Sequence, residues 1–227
     1  HFRREGADAW RAALDLVYDA RDQEYRGSVV GLTPDTPYEI RLNAGGREAI
    51  LKTRTRSDQF PVGETTLLPA GDSVQDFTIT KSGTAQGYHL VTVPPGARVS
   101  LDGMNRSVAN LVIDANYVIV RGLELRNAAQ HGILIKAGRN HIVVEQCRIA
   151  GWGRMGGPVS FGNIGNMDSA ISAERGAGQL TVQRNLLEHP RGASNDWDTG
   201  HPAGPQAVSL SNSSGGNVIR YNDIWST

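Results

Sequence analysis

Two groups of residues in this chain have types and spacings suited to chemistry. The first is Lys136, Arg139, Glu174 and Asp168. A lysine can take the proton beside a carboxylate, and a nearby guanidinium can steady the charge that develops. The two carboxylates, Glu174 and Asp168, can instead act together in a hydrolysis. Lys136 and Glu174 could equally form an exposed ion pair, worth only about 0–1 kcal/mol. The second group lies in two long glycine-rich stretches, 150–168 and 188–203. It comprises Trp152, Arg154, His189, Arg191, Trp197 and His201. Aromatic faces stack on sugar rings, and Arg and His bond hydroxyl and carboxylate groups. The tryptophans could instead pin these loops to the body of the fold. Around Trp197, the run Asn195 to Gly200 offers oxygen ligands at alternate positions, so Asp196 and Asp198 are candidate ligands for calcium. The later acidic residue of a full calcium-binding loop is missing.

A repeat positions these groups. Val120, Leu123 and Leu125 recur as Val144, Cys147 and Ile149, then as Val182, Asn185 and Leu187, then as Ile219, Asn222 and Ile224. A second strip recurs as Ile133, Ile171 and Val208. The step from second strip to first is always 11 residues, whereas the reverse step is 13, 27 and 26. One side of each repeat is constant, and the other carries insertions of 14 and 13 residues in consecutive repeats. Such a period predicts stacked coils with the insertions side by side on one face, often the binding face. Alternation then puts Val120, Val144, Val182 and Ile219 in one inward column and Leu125, Ile149, Leu187 and Ile224 in another. Lys136, Glu174 and Ser211 share an outward level, and His131, Ser169 and Gln206 share another. Cys147 is expected to be a buried ladder residue. Asn185 and Asn222 are expected to stack and to satisfy backbone groups of the neighbouring coil.

Composition excludes several classes. The 227 residues carry 23 basic and 23 acidic side chains, so no general nucleic-acid or membrane-surface binder is indicated. No run of 18 apolar residues exists, so no membrane span is expected. One cysteine allows no internal disulfide. No zinc motif, phosphate loop or nucleophile elbow is present. After position 58 no stretch of 10 to 15 residues has helical periodicity, which argues against a doubly wound α/β fold.

Short β-branched runs separated by glycine turns, together with this repeat, resemble the right-handed parallel β-helix of pectate lyases and related polysaccharide enzymes. The fold class expected is therefore all-β: a parallel β-helix over residues 58–227, after a linker at Phe60 to Glu64. Residues 1–57 resemble part of a fibronectin type III domain. Leu32, Pro34, Thr36 and Tyr38, followed by Ile40 and Leu42, are similar to its tyrosine corner. There the hydroxyl bonds nearby backbone. Asp8 to Arg11 is similar to the strand carrying the core tryptophan, and Glu48 to Thr55 to the final strand. The first two strands of that family have no counterpart, and the chain stops within a coil. A further polypeptide segment or chain is expected to complete both parts. The resemblance implies a secreted bacterial protein acting on a polysaccharide. Elimination on a uronic-acid polymer, with Lys136 as base, leads. Hydrolysis, epimerisation and non-catalytic carbohydrate binding stay open.

Overall fold

The computed structural model describes residues 1–154, 168–191 and 205–226, as two compact units, His1–Phe60 and Pro61–Thr227. Every regular element among the described residues is a strand. No helix among them is long and apolar enough to cross a membrane.

The first unit holds β1 (Phe2–Arg4), β2 (Val17–Asp19), β3 (Glu24–Arg26), β4 (Pro37–Ala44) and β5 (Arg47–Arg54). An antiparallel sheet has the order β1-β4-β5, and β2 and β3 form a hairpin. Phe2 and Tyr38 are its buried apolar pair, with ring centroids 6.2 Å apart. The Tyr38 hydroxyl accepts the Thr33 N–H at 3.0 Å, the bond expected of a tyrosine corner. The strand expected over Asp8 to Arg11 does not form. Arg11 makes one isolated bridge to Phe2, and Trp10 is held between the guanidinium groups of Arg3 and Arg41, each 4.4 Å from its ring.

The second unit contains three parallel sheets, an arrangement consistent with a parallel β-helix. The first sheet has β6 (Val62–Leu67), β9 (Tyr88–Thr92), β12 (Val118–Arg121), β15 (Asn140–Glu145), β18 (Gly178–Gln183) and β21 (Val218–Arg220). The second has β7 (Gly71–Ser73), β10 (Val99–Asp102), β13 (Glu124–Arg126), β16 (Arg148–Ala150), β19 (Leu186–Glu188) and β22 (Asp223–Trp225). The third has β8 (Phe77–Ile79), β11 (Ala109–Ile113), β14 (His131–Ile135), β17 (Ser169–Ala173) and β20 (Gln206–Leu210). The chain visits the three sheets in turn, and each strand pairs with its counterpart one turn earlier.

The predicted registers are present. Val120 pairs with Val144, Val144 with Val182, and Val182 with Ile219. Leu125, Ile149, Leu187 and Ile224 align likewise, as do Ile133, Ile171 and Val208. Through Val182, Leu187 and Ile171 these columns fill one continuous core, with Val208 packed against it; the inward expectation is corrected for Ile219 and Ile224, which are 49 % and 55 % exposed. Two further expectations are corrected. Of the segment Phe60 to Glu64, expected as a linker, Val62 to Glu64 belong to β6, and the two units meet at Phe60 and Pro61. Pro61 lacks an N–H, but its carbonyl accepts Tyr88 N–H at 2.7 Å, so β6 starts directly after it, with a bulge between Val62 and Thr65. The strip from Val120 to Leu125 is also two strands. A left-handed residue, Gly122, Gln146, Arg184 or Tyr221, turns each coil from the first sheet to the second.

At that turn, Leu123, Cys147, Asn185 and Asn222 stack. Asn185 Oδ1 accepts Cys147 N–H at 3.0 Å, and Asn185 Nδ2 donates to Val144 O at 3.0 Å. Asn222 repeats the pattern one coil on, accepting Asn185 N–H and donating to Val182 O. Cys147 is 2 % exposed, and burial pushes its thiol up to about 12, so it is chemically quiet. The outer face of the second sheet carries an alternating charge ladder, Arg98–Glu124–Arg148–Glu188.

Asn185→Ala leaves the buried Cys147 N–H without its side-chain acceptor and removes one donor from the Val144 carbonyl. Equilibrium urea unfolding should show a loss of about 2–3 kcal/mol; a loss below about 0.5 kcal/mol would mean the ladder is ornamental. Acid should also destabilise the fold. Arg98, with Arg148 and Arg126, holds the Glu124 carboxyl below its usual range. Because the folded value is depressed, this stability is complete above the unfolded value of about 4.3 and is lost as pH falls toward the folded value. Glu124→Gln should flatten the fall measured between pH 5 and 3, roughly the range that linkage assigns to a carboxylate.

Candidate functional site

The outer face of the third sheet carries the chemistry-bearing residues. Strand alternation and register put Val112, Leu134, Ser172 and Ser209 in one outward row. Just beyond the strand ends the ladder continues: Lys136 N–H bonds Ile113 O, Glu174 N–H bonds Ile135 O, and Ser211 N–H bonds Ala173 O. Asp114, Lys136, Glu174 and Ser211 thus form the next row. A cleft of about 340 Å³ runs along this face. His131, Arg154 and Asp168 line one end, Glu174, Arg175 and Ser211 the other, with Ser172 and Ser209 between. The ends are five to six strand residues apart, about 16–20 Å.

At the first end, Asp168 and Arg154 form a two-pronged pair. Arg154 Nε donates to Oδ2 at 3.0 Å, Nη2 to Oδ1 at 2.9 Å, and its backbone N–H to Oδ2 at 2.8 Å. The Asp168 side chain is 1 % exposed and that of Arg154 41 %, so the acid is buried beneath its partner. His131 sits beside them. Ser169 N–H donates to its Nδ1 at 3.2 Å, which leaves the ring proton on Nε2. Burial holds the His131 pKa below its ordinary value; Asp168 draws it up less strongly, and Arg154 adds to the lowering. The imidazole is therefore neutral at pH 7 and offers an N–H donor, not a base.

At the second end, Lys136 Nζ donates to Glu174 Oε1 at 2.6 Å, the inter-coil pair expected from the repeat. Ala137 N–H holds the other oxygen of Glu174 at 2.9 Å. Arg139 turns to Asp114 at 2.8 Å. These pairs are about two-fifths exposed and worth roughly 0–1 kcal/mol each, so a ligand could replace them. Arg175 lines the cleft and makes no ion pair among the described residues. Glu174 and Asp168 stand on either side of β17, both line the cleft, and both act electrostatically on His131.

The loop-root residues divide. Trp152 is 1 % exposed and belongs to the core, so the expectation that it stacks on a sugar is corrected. A glycine-rich run let the indole fold inward as a plug. Arg191 also has a structural task. Its N–H donates to Trp152 O at 2.7 Å, and its guanidinium reaches Asn105 Oδ1 and Ala128 O in earlier coils. Gly153 is required there, because a Cβ would lie 2.5 Å from Arg191 O. His189 is exposed, with Nε2 3.8 Å from Glu188, and is not among the residues lining the cleft. Trp197, His201, Asp196 and Asp198, and with them the calcium expectation, lie outside the described residues. Among the described residues, no three His, Cys, Asp or Glu side chains gather to hold a metal.

Sequence reasoning did not single out Arg175, and it treated His131 only as a member of an aligned level. The alignment of His131 with Ser169 was the available signal, since it predicts that the ring meets the next strand's first N–H. No family model, curated protein or solved structure matches the chain.

Arg154→Ala should strip the buried Asp168 of its counter-charge and lower stability by about 3 kcal/mol in urea unfolding. Adding Asp168→Ala should recover part of that loss, because the orphaned charge goes with it. Additive losses would refute the coupling.

Proposed function

We propose that the second unit is a right-handed parallel β-helix whose third-sheet cleft binds a uronic-acid polymer and cleaves it by elimination. The observation that carries this reading is the cleft itself: hydrogen-bond donors and guanidinium groups are concentrated on a solvent-facing sheet, at the roots of two adjacent insertions. Arg154 and the neutral His131 would hold sugar hydroxyl and carboxylate groups at one end. At the other, a substrate carboxylate would take over the guanidinium of Arg175 and loosen the Lys136–Glu174 pair. Lys136, giving up a proton to Glu174 or to solvent, would then remove the proton beside that carboxylate. The released electron pair forms the ring C=C bond, the glycosidic C–O bond breaks, and the departing oxygen is protonated. Calcium at Asp196 and Asp198 would add a further positive partner for the carboxylate. The first unit, with its Tyr38 corner, would be a fibronectin type III-like module, and a secreted location fits this substrate.

One observation favours a second reading, non-catalytic binding of the same polymer. Lys136, Arg139, Glu174 and Asp168 are each already held in an ion pair.

A polymer screen on the intact protein separates the two. Alginate, pectate, glycosaminoglycans and neutral glucans would be tested with and without calcium. Elimination predicts ultraviolet absorbance from unsaturated ends rising together with reducing ends, and a rate reduced by about 10²–10⁴-fold in Lys136→Ala. Reducing ends without absorbance would move the chemistry to hydrolysis. Binding without any product would establish the second reading, and neither binding nor product would overturn both.

A further inference from the structure

A second cleft, of about 430 Å³, lies on the same sheet face. Its floor is Val112 and Leu134, with Val108 and Ala109 beside them, and its rim carries Asp76 and Arg106. The two clefts adjoin. Ala109 of the second pairs with His131 of the first, and Leu134 of the second pairs with Ser172 of the first. Along the outward row the residues change from Val112 and Leu134 to Ser172 and Ser209, one step of about 4.8 Å per strand. A ligand crossing the strands therefore passes from an apolar floor to a hydroxyl-lined one.

Solvent-facing sheet positions are ordinarily polar, so a concave floor of Val and Leu with Val108 52 % exposed beside it needs a reason. An apolar floor with a few polar groups at the rim is the usual composition of a ligand site. Neither Asp76 nor Arg106 has an ion-pair partner among the described residues, and their opposite charges leave the rim without a net preference for an anion. A bare uronate would lose hydration against this floor and would meet Asp76 as well as Arg106 at the rim. Resting on the polysaccharide reading above, we infer that this second cleft is a subsite for a sugar unit bearing an apolar ester, an O-acyl group. The acyl methyl lies on Val112 and Leu134, and the ring hydroxyls reach Asp76 and Arg106. The protein thus reads the substitution pattern of its polymer, taking an acylated unit beside an unmodified acidic one.

The test is equilibrium binding of the intact protein to a partly O-acetylated polyuronate and to the same material after mild alkaline de-acetylation. Placing one methyl-sized group on the floor should make the acetylated form bind about fivefold more tightly. Val112→Ser and Leu134→Ser should reduce that preference to below about twofold without weakening the de-acetylated form. Val108→Ser, at an exposed position, should reduce it in part and carries little risk to folding. Equal binding of the two forms, or tighter binding of the de-acetylated one, would overturn this inference and leave the polysaccharide reading intact. Failure to bind either form would overturn both.

Discussion

The second unit depends on one constraint: each strand's backbone groups are satisfied by the strand one coil away, in parallel and in register. With strands about 4.8 Å apart, like positions then lie directly over one another, and a side chain's nearest neighbour is its counterpart in the next coil. Apolar columns are the direct result: Val120, Val144 and Val182 are all within 1 % of fully buried. Where the column meets a turn, the later coils use a side chain able to serve two coils at once. Asn185 does so by accepting one coil's N–H and donating to a carbonyl of that same coil, while Asn222 bonds it in turn. An amide carries both a donor and an acceptor, which a hydrophobe at this position could not supply.

Stacking has a second consequence on the outside. A charge repeated at one level would sit beside its own sign, so sign must alternate from coil to coil. The second sheet satisfies this with Glu124 beside Arg148, and the third with Lys136 beside Glu174; Arg98 and Glu188 reach the second-sheet pair diagonally. Ion pairing in these rows is thus expected from architecture alone and is weak evidence of catalysis. The Arg154–Asp168 pair is different. It joins the two ends of one insertion, and its acid is buried. It fixes where the loop leaves and rejoins the sheet.

How much of this was legible in the sequence follows from the same constraint. Whatever repeats coil to coil could be read: the columns, the asparagine stack, the buried cysteine and the Lys136–Glu174 pair. What is local to one coil could not. The corners between first and second sheets use Gln146, Arg184 and Tyr221 in left-handed conformations, and none of these residue types advertises a turn. Trp152 looked like a loop aromatic because its neighbours are glycines, yet its ring fills the core. Arg191 looked like a ligand-binding cation, yet its guanidinium ties its loop to coils that precede it by more than 60 residues in sequence. In both cases tertiary burial, absent from any local pattern, decided the outcome.

The placement of the first cleft follows from where the repeat is broken. The first sheet and the turns into the second keep a constant spacing, so their outer faces carry no added chain. Both insertions fall between a second-sheet strand and the third-sheet strand after it, β16 to β17 and β19 to β20. The third sheet is therefore the one face where loops can be added without disturbing the register of the core. It is also where His131 lies beside the loop-root pair of Arg154 and Asp168. The rigid stacked columns beneath fix the spacing of the outward rows, so a ligand lying across them meets one side chain per strand.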